Sequence, residues 1–319
     1  MSQKHLVLGG NGFIGQHVVR HLCAAGQDVR LFDMASTPAC RIASSGGDTP
    51  VQPEIVTGDF RDEQILRAAL SDVDVVHHLV SITTPASSMA DLTRDVEGNI
   101  LGTLQLLELC VEQNVEQIVF ASSGGTVYGQ LATVPAPETH ATLPISSYGI
   151  TKLTCEKYIH LYHHLHGLHY KILRIANPYG SGQDPRRNQG LINALLWKIH
   201  TGQTIDIWGD GSVVRDYIHV GDVAEAILQT STQRQHSDVF NIGTMQGVSI
   251  NQLLAVISEA IGRDVPVQYH PGRAFDVPTS VLDITKVQQA VGWQPQTPLE
   301  LGIRRTWAWI QQLSTSDEK

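Results

Sequence analysis

The stretch Leu6-Val-Leu-Gly-Gly-Asn-Gly-Phe-Ile-Gly15 constrains this chain more than any other. Three apolar residues, Leu6 to Leu8, run into glycines, and the apolar positions beyond them, Phe13, Ile14, Val18 and Leu22, recur at helical spacing until Gly26. A buried strand, a tight turn and a helix are expected, and in that order they make a phosphate-binding turn. Gly9 permits the tight backbone, Gly12 lets the main chain approach a pyrophosphate, and Gly15 lets the helix pack on its strand. The helix N-terminus then offers unpaired N–H groups to an anion, so Gly9, Gly12, Phe13, Ile14 and Gly15 are the first cofactor-binding candidates.

A glycine triplet alone is weak evidence. Here a second strand, Val29 to Phe32, ends in Asp33, near the spacing at which an acidic residue accepts the ribose hydroxyls of a dinucleotide. A carboxylate there repels a 2′-phosphate and no Arg follows it directly, which favours NAD over NADP. The plainer alternative is that the glycines only serve a strand-helix turn and that Asp33 is a solvated strand end.

Up to about Arg174 the pattern continues to alternate. Strands are expected at Glu54 to Thr57, Val73 to Leu79, Gln117 to Ala121 and Tyr170 to Arg174, with helices at Gln64 to Leu70, Asp91 to Gln113 and Ser147 to His166. Nearly all-apolar strands indicate a parallel sheet covered on both faces, and right-handed crossovers make it a doubly wound α/β sheet. Ligands of such a sheet lie beyond the carboxyl ends of its strands. At the third strand end Asp59 could meet an adenine amino group and Phe60 cover the base, although Asp59 serves equally as a helix-entry residue. At the fourth, Leu79, Val80 and Ser81 would lie near a nicotinamide.

Past Arg174 the alternation breaks down. A turn at Asn177 to Gly182, helices at Gly190 to Thr201, Ser249 to Ile261 and Pro298 to Gln312, and a strand at Thr204 to Trp208 are expected. Asp222 and Glu225 sit at capping-box spacing before a helix running to Leu228. The chain thus divides into a cofactor-binding domain, 1–175, and a smaller substrate domain, 176–319, with some crossing of the chain between them left open. The cleft between them is the expected site.

The 319 residues suffice for this core, and 42% hydrophobic content with a net charge of −9 suits a soluble protein without a nucleic-acid surface. Met1 to His5 enter the first strand at once and no apolar run is long enough to span a bilayer, so neither signal peptide nor membrane is expected, and a cytoplasmic location is. Cys23, Cys40, Cys110 and Cys155 lack the spacing of zinc or redox sites. Among the 15 histidines, His160, His163 and His164 share a helix face that could grip a metal, yet a His-rich outer or subunit-facing surface is the plainer account, and no metal is expected.

Tyr148-Gly-Ile-Thr-Lys152 puts a phenol and an ammonium four apart on one helix face. A phenol is a poor base at neutral pH, but a close cation and an oxidised nicotinamide both favour the phenolate, so Tyr148 can exchange a proton with a carbinol while a cofactor exchanges hydride. Lys152 would also bond the nicotinamide ribose.

Together with the hydroxyl-rich stretch Ala121-Ser-Ser-Gly-Gly-Thr-Val-Tyr-Gly129, these features resemble the extended short-chain dehydrogenase/reductase family and, within it, the nucleotide-sugar 4-epimerases. The resemblance runs through Asp59, Asn99, Ser122 to Gly129, Asn177-Pro-Tyr, Arg215-Asp-Tyr-Ile-His-Val220 and Arg273 to Asp276. It implies NAD contacts at Asn99 and Ser122, and diphosphate contacts at Asn177 and around Asn188 to Leu191. It further implies a phosphate clamp from Arg215 and Arg273, with Tyr217 and Asp276 near the uridine. Relatives place a Ser or Thr where this chain has Gly124; Thr126, with Ser123 second, is taken as the hydroxyl that stands in. Gly124-Gly125-Thr126 also offers no carboxylate of the kind that dehydratases and decarboxylases of this family carry there.

A position four beyond the aspartate of Arg-x-x-Asp borders the sugar in such epimerases, and a tyrosine there excludes an acetamido group. Ser280 is small, so the expected reaction interconverts UDP-N-acetylglucosamine and UDP-N-acetylgalactosamine, with UDP-glucose and UDP-galactose as further substrates. Relatives pair through two long helices, and Leu101, Leu104, Leu107 and Val111 give this chain an apolar face for a homodimer. Two other readings stay open at this point: a nucleotide-sugar reductase or epimerase acting elsewhere on the sugar, and a non-catalytic NAD-binding protein.

Overall fold

The first sheet follows directly from the run of apolar strands. The computed structural model describes residues 3–34, 52–186, 189–233, 236–271 and 277–313. In chain order the first part comprises β1 (Lys4–Leu8), α1 (Phe13–Ala24), β2 (Asp28–Asp33), β3 (Glu54–Thr57), α2 (Glu63–Ala69) and β4 (Val75–His78). Two short helices follow, α3 (Pro85–Ser88) and α4 (Leu92–Asp95), then a π-helical turn (Val96–Leu101), α5 (Gly102–Glu112), β5 (Gln117–Ser123), α6 (Ser147–His166) and β6 (His169–Ile175). The second part comprises β7 (Asn177–Tyr179), α7 (Leu191–His200), β8 (Ile205–Trp208), β9 (Val214–His219), α8 (Val220–Ser231) and β10 (Asp238–Ile242). It ends with β11 (Gly247–Ser249), α9 (Ile250–Ile261), β12 (Val267–His270), β13 (Thr279–Ser280), α10 (Thr285–Val291) and α11 (Leu299–Leu313).

Seven parallel strands form the main sheet in the order β10-β6-β5-β4-β1-β2-β3. Alternate residues feed two separate cores. Val7, Val75, Val119 and Leu173 meet Val18, Leu22, Val223 and Ile227 of α1 and α8, whereas Leu6, Val76, Ile118 and Ile172 meet Leu66, Leu106 and Ile159 of α2, α5 and α6. Strand order reverses between β1 and β4, which is where such a sheet opens its ligand crevice. The doubly wound α/β class is therefore as expected.

Several expectations need correction. The helix read as continuous from Asp91 to Gln113 is interrupted by the π-helical turn, because Gly98 lies against the chain after β4: a Cβ there would sit 1.7 Å from Ile82 Cδ1. Asn177 to Tyr179 is a short strand paired with β9 rather than part of a turn. His219, not Asp222, caps α8, its Nδ1 accepting from Gly221 N, since β9 runs into the helix without a break. Asp222 instead accepts from the Gln296 and Thr297 amides and so fixes the segment before α11.

The smaller layer holds β11, β9, β13 and β7 in one sheet and β8 with β12 in another. Its core gathers Leu196, Ile205, Leu253, Ile257, Ile303 and Ile310. β10, which the sequence reading did not anticipate, carries the chain back to the edge of the main sheet beside β6. Residues past 175 thus contribute to both layers.

Candidate active site

The cleft at the crevice has a volume of about 1130 Å³ and is lined from both layers. Its floor is the turn after β1. Gly9 has φ +80°, its amide donates to Phe32 O at 2.9 Å, and Gly12 N donates back to Gly9 O at 2.9 Å. A Cβ on Gly15 would fall 2.0 Å from Gly9 O, so the helix can approach the turn only with glycine here. No side chain caps α1 at Gly12, and Gly9, Gly12, Phe13, Ile14 and Gly15 all line the cleft, so the first-turn amides are directed at it. Asp33 closes the turn from β2 by accepting from Asn11 N at 2.9 Å and Met34 N at 2.8 Å.

The residues after β3 and β4 are placed less uniformly. Asp59 is not among the residues lining the cleft; Arg61 grips its carboxylate and holds it below the usual carboxylate range. Nor does Asp59 begin a helix, since the side chain of Asp62 caps α2. Phe60 is buried in the core against His78 instead of covering a base. Leu79 and Ser81 line the cleft, whereas Val80 packs on the core behind Gly9. Asn99 holds the loop after β4 from below, its Oδ1 accepting from Ile82 N at 3.1 Å and its Nδ2 donating to Thr83 Oγ1 at 2.9 Å.

β5 and α6 bring the reactive groups together. Ser122, Ser123 and Thr126 line the cleft at the end of β5, with Tyr148 and Lys152 opposite on the first turns of α6. Ser122 is itself engaged, donating to Glu156 Oε1 at 2.5 Å in a buried pair that Glu156 makes with Arg174 at 2.6 Å. Thr126 Oγ1 is buried in the cleft with no protein partner. A Cβ at Gly124 would meet Leu282 Cδ1 at 2.4 Å and Arg174 O at 3.0 Å, neither of them lining the cleft. The glycine therefore makes room for Leu282.

The electrostatics correct one expectation. Lys152 Nζ donates to Ala121 O at 2.9 Å, stands 4.7 Å from the centre of the Phe120 ring and lies 5.7 Å from that of Tyr148. Burial lowers this ammonium to about 8, against opposing pulls from Cys155, Asp95 and Glu156. Burial pushes the Tyr148 phenol up to about 12; its hydrogen bond with Ser81 acts against the rise and the Asp95 charge with it. Lys152 is turned to the strand end, so the expected acidification of the phenol by its neighbour is not found in the protein groups themselves.

From the smaller layer, Asn177, Leu191, Arg215 and Tyr217 line the cleft. Asn177 Nδ2 donates to Asp216 O at 2.9 Å, and Arg215 donates to Val277 O at 2.8 Å, next to the segment that carries Arg273 and Asp276. Those two residues and Asn188 lie outside the described residues. The Tyr217 hydroxyl is buried without a protein partner. Ser280 is buried on β13, registered with Arg215 of β9, and does not line the cleft. Sequence reasoning missed Trp208, which lines the cleft although 44% exposed, stacked on His270 with ring centroids 4.8 Å apart. The available signal was a tryptophan on the solvent side of an alternating strand.

Uncapped amides over a glycine cradle, and orphaned Thr126 and Tyr217 hydroxyls farther along the cleft, fit an extended dinucleotide with a second polar ligand beside it. Among the described residues no group of His, Cys, Asp and Glu could hold a metal, and no helix is long and apolar enough to cross a membrane.

Residues 5–243 match the family model described as the NAD dependent epimerase/dehydratase family. The chain is 37% identical over 309 residues to a putative UDP-glucose 4-epimerase of Methanocaldococcus jannaschii, covering 96% of this chain and 98% of that one. Among solved structures it is similar to UDP-glucose 4-epimerase of Thermotoga maritima with UDP-glucose, at a TM-score of 0.89 and 35% identity, covering 98% of this chain and 100% of the other. It is also similar to UDP-N-acetylglucosamine 4-epimerase of Methanobrevibacter ruminantium in complex with UDP-N-acetylmuramic acid, at a TM-score of 0.90 and 29% identity, covering 98% and 99%.

Proposed function

The chain belongs to the NAD dependent epimerase/dehydratase family, and on that premise we propose that it interconverts UDP-N-acetylglucosamine and UDP-N-acetylgalactosamine at C4, with UDP-glucose and UDP-galactose as further substrates. The coarser activity is NAD-dependent 4-epimerisation of a UDP-sugar. One observation carries the reading: Tyr148 and Lys152 face the cleft beside the glycine cradle, while the opposite strand end offers hydroxyls and no carboxylate. That set can move a proton at a carbinol but lacks the acid and base for dehydration or decarboxylation.

When bound, NAD+ supplies the hydride acceptor and a cationic ring beside the phenol. Next to such a cation Tyr148 would stand as the phenolate, take the C4 hydroxyl proton as the 4-keto sugar forms, and return it after the sugar has presented its other face. Thr126, with Ser123 second, holds the reacting oxygen; the orphaned Oγ1 of Thr126 supports this order. Lys152, anchored to Ala121 O, bonds the cofactor ribose. Gly9, Gly12, Phe13, Ile14 and Gly15 hold the pyrophosphate. Asn177, Leu191 and Arg215 receive the nucleotide diphosphate, with Tyr217 and the flat face of Trp208 at its base.

The proposed choice of sugar rests on the small Ser280, which is buried beside cleft-lining Arg215 and does not itself line the cleft, so its effect on the sugar would run through that neighbour. Relatives named for UDP-glucose and a structural neighbour named for UDP-N-acetylglucosamine bracket that choice. A homodimer is proposed from exposed apolar residues on neighbouring helical surfaces, Leu101, Ile150, Leu161 and Leu165. Leu107, expected on that face, is core instead.

The test is purification, release and identification of bound cofactor, and incubation with each UDP-sugar while proton NMR follows C4. Formation of UDP-N-acetylgalactosamine is expected. A product altered at another carbon, consumption of external NAD(P)H, or no product from any UDP-hexose would overturn the reading.

A further inference from the structure

Asp95 is fully buried at the end of α4 and is the hub of a polar cluster that the proposed chemistry does not use. Its Oδ1 accepts from Asn99 Nδ2 at 2.8 Å and from the Thr83 hydroxyl. Its Oδ2 accepts from Ser147 Oγ at 2.6 Å and Thr151 Oγ1 at 3.1 Å. Ser147 and Thr151 directly precede Tyr148 and Lys152, so one carboxylate oxygen grips the helix at both reactive positions. The other grips the loop after β4: Asn99 Oδ1 accepts from Ile82 N, and Ser81, whose hydroxyl donates to Thr83 O at 3.0 Å, hydrogen-bonds the Tyr148 phenol.

A buried carboxylate is costly unless every lone pair is satisfied, and four side-chain donors meet this one. The first turn of a helix frays most readily, yet Tyr148 stands in the first turn of α6 and must hold its oxygen to a fraction of an ångström. We propose that Asp95 is a positioning residue of the reaction, locking the first two turns of α6 to the 81–83 loop so that the Tyr148 phenol and the Lys152 ammonium keep a fixed relation to the cleft. The proposal rests on the epimerase reading for the step it serves, but not for the contact it makes.

A second effect separates positioning of the pair from simple support. Lys152 is faced by Cys155 and Glu156 from its own helix, by His78 from β4 and by Asp95 from α4, and Tyr148 by Asp95. The negative charge of Asp95 raises both the phenol and the ammonium, so its removal lowers both.

The test is Asp95→Asn, compared with the wild-type holoenzyme in three readouts. Hydrogen exchange of the amides of residues 149–153 is expected to accelerate about tenfold or more, with residues 158–166 unchanged. Turnover is expected to fall about tenfold or more with KM for the UDP-sugar moved less than about threefold. The pH profile is expected to shift to lower pH by about half a unit or more, which a merely structural loss would not do. Unchanged exchange together with an unshifted profile overturns the proposal. Accelerated exchange in a chain whose wild type epimerises no UDP-sugar leaves Asp95 as the lock and overturns the epimerase reading instead. Should Asp95→Asn fail to fold, the double variant Ser147→Ala/Thr151→Val keeps the carboxylate and removes its grip on α6; faster exchange at 149–153 supports the lock, and wild-type exchange there overturns it.

Discussion

Lys152 holds its ammonium 2.9 Å from the Ala121 carbonyl and 5.7 Å from the centre of the Tyr148 ring. The cation is thereby tied to the strand end, where it is placed for the cofactor ribose rather than for a bond to the phenol. Burial lowers this ammonium to about 8, so its proton leaves as the pH rises through that value. Turnover should decline on the alkaline side with an apparent pKa near 8. Lys152→Arg, which keeps its charge throughout, should be slower but free of that decline; a wild-type rate flat up to pH 10 would remove the requirement for the charge.

Tyr148→Phe removes the group that exchanges the proton and leaves the glycine cradle intact. Turnover should fall about 10²- to 10⁴-fold while bound NAD is retained, checked by steady-state kinetics and by cofactor released on denaturation. Normal turnover in this variant would refute the assignment.

Gly124→Ser restores the hydroxyl that relatives carry, but its Cβ would press on Leu282 at 2.4 Å and the Arg174 carbonyl at 3.0 Å. Overpacking of this kind costs about 1–3 kcal/mol, and the new hydroxyl should not raise turnover. In a denaturation cycle with Leu282→Ala, the pair should show a coupling of about 1 kcal/mol or more. Additive effects would mean that the two positions do not compete for space.

Ser280→Tyr tests the choice of sugar. Acetamido substrates should lose turnover while UDP-glucose keeps it, measured on both pairs; unchanged turnover of UDP-N-acetylglucosamine would withdraw the proposed role. Because Ser280 is 5% exposed, thermal denaturation of the variant has to accompany the assay.

Burial holds His17 down to about 4 and His78 down to about 3. Both depressions have the same sign: below about 6.5 the unfolded chain takes up protons that the folded chain refuses. The stability they confer is present above that value and is lost as the pH falls towards 4, at up to roughly 1.4 kcal/mol per pH unit for each group. Urea denaturation between pH 7 and 4.5 should show the loss, and His17→Gln should reduce its slope. An unchanged slope would place the acid sensitivity elsewhere.

Parts of the molecule governed by near neighbours were legible in the sequence. The turn from Gly9 to Gly15 and the Tyr148–Lys152 face depend on a strand period, a helix period and glycine sterics, all local. What escaped depends on residues far apart in the chain. The π-helical turn arises because Gly98 meets Ile82, and the role of Asp95 appears only when 147 and 151 come down on it. Phe60 was misread because an aromatic after a strand end can turn to the ligand or to the core, and Gly102, where a Cβ would sit 2.6 Å from the ring, leaves the room that lets it turn inward.

The return of β10 to the edge of the main sheet bears on how the protein can be divided. A fragment ending at Ile175 would strip α8 and β10 away, baring one flank of β6 and the valine-rich face that α8 covers. Such a piece would carry every glycine of the dinucleotide turn and still offer an open, sticky ladder to its own kind. Half of this molecule is not a usable module, and any graft or domain exchange has to carry residues 220–242 along with the first half.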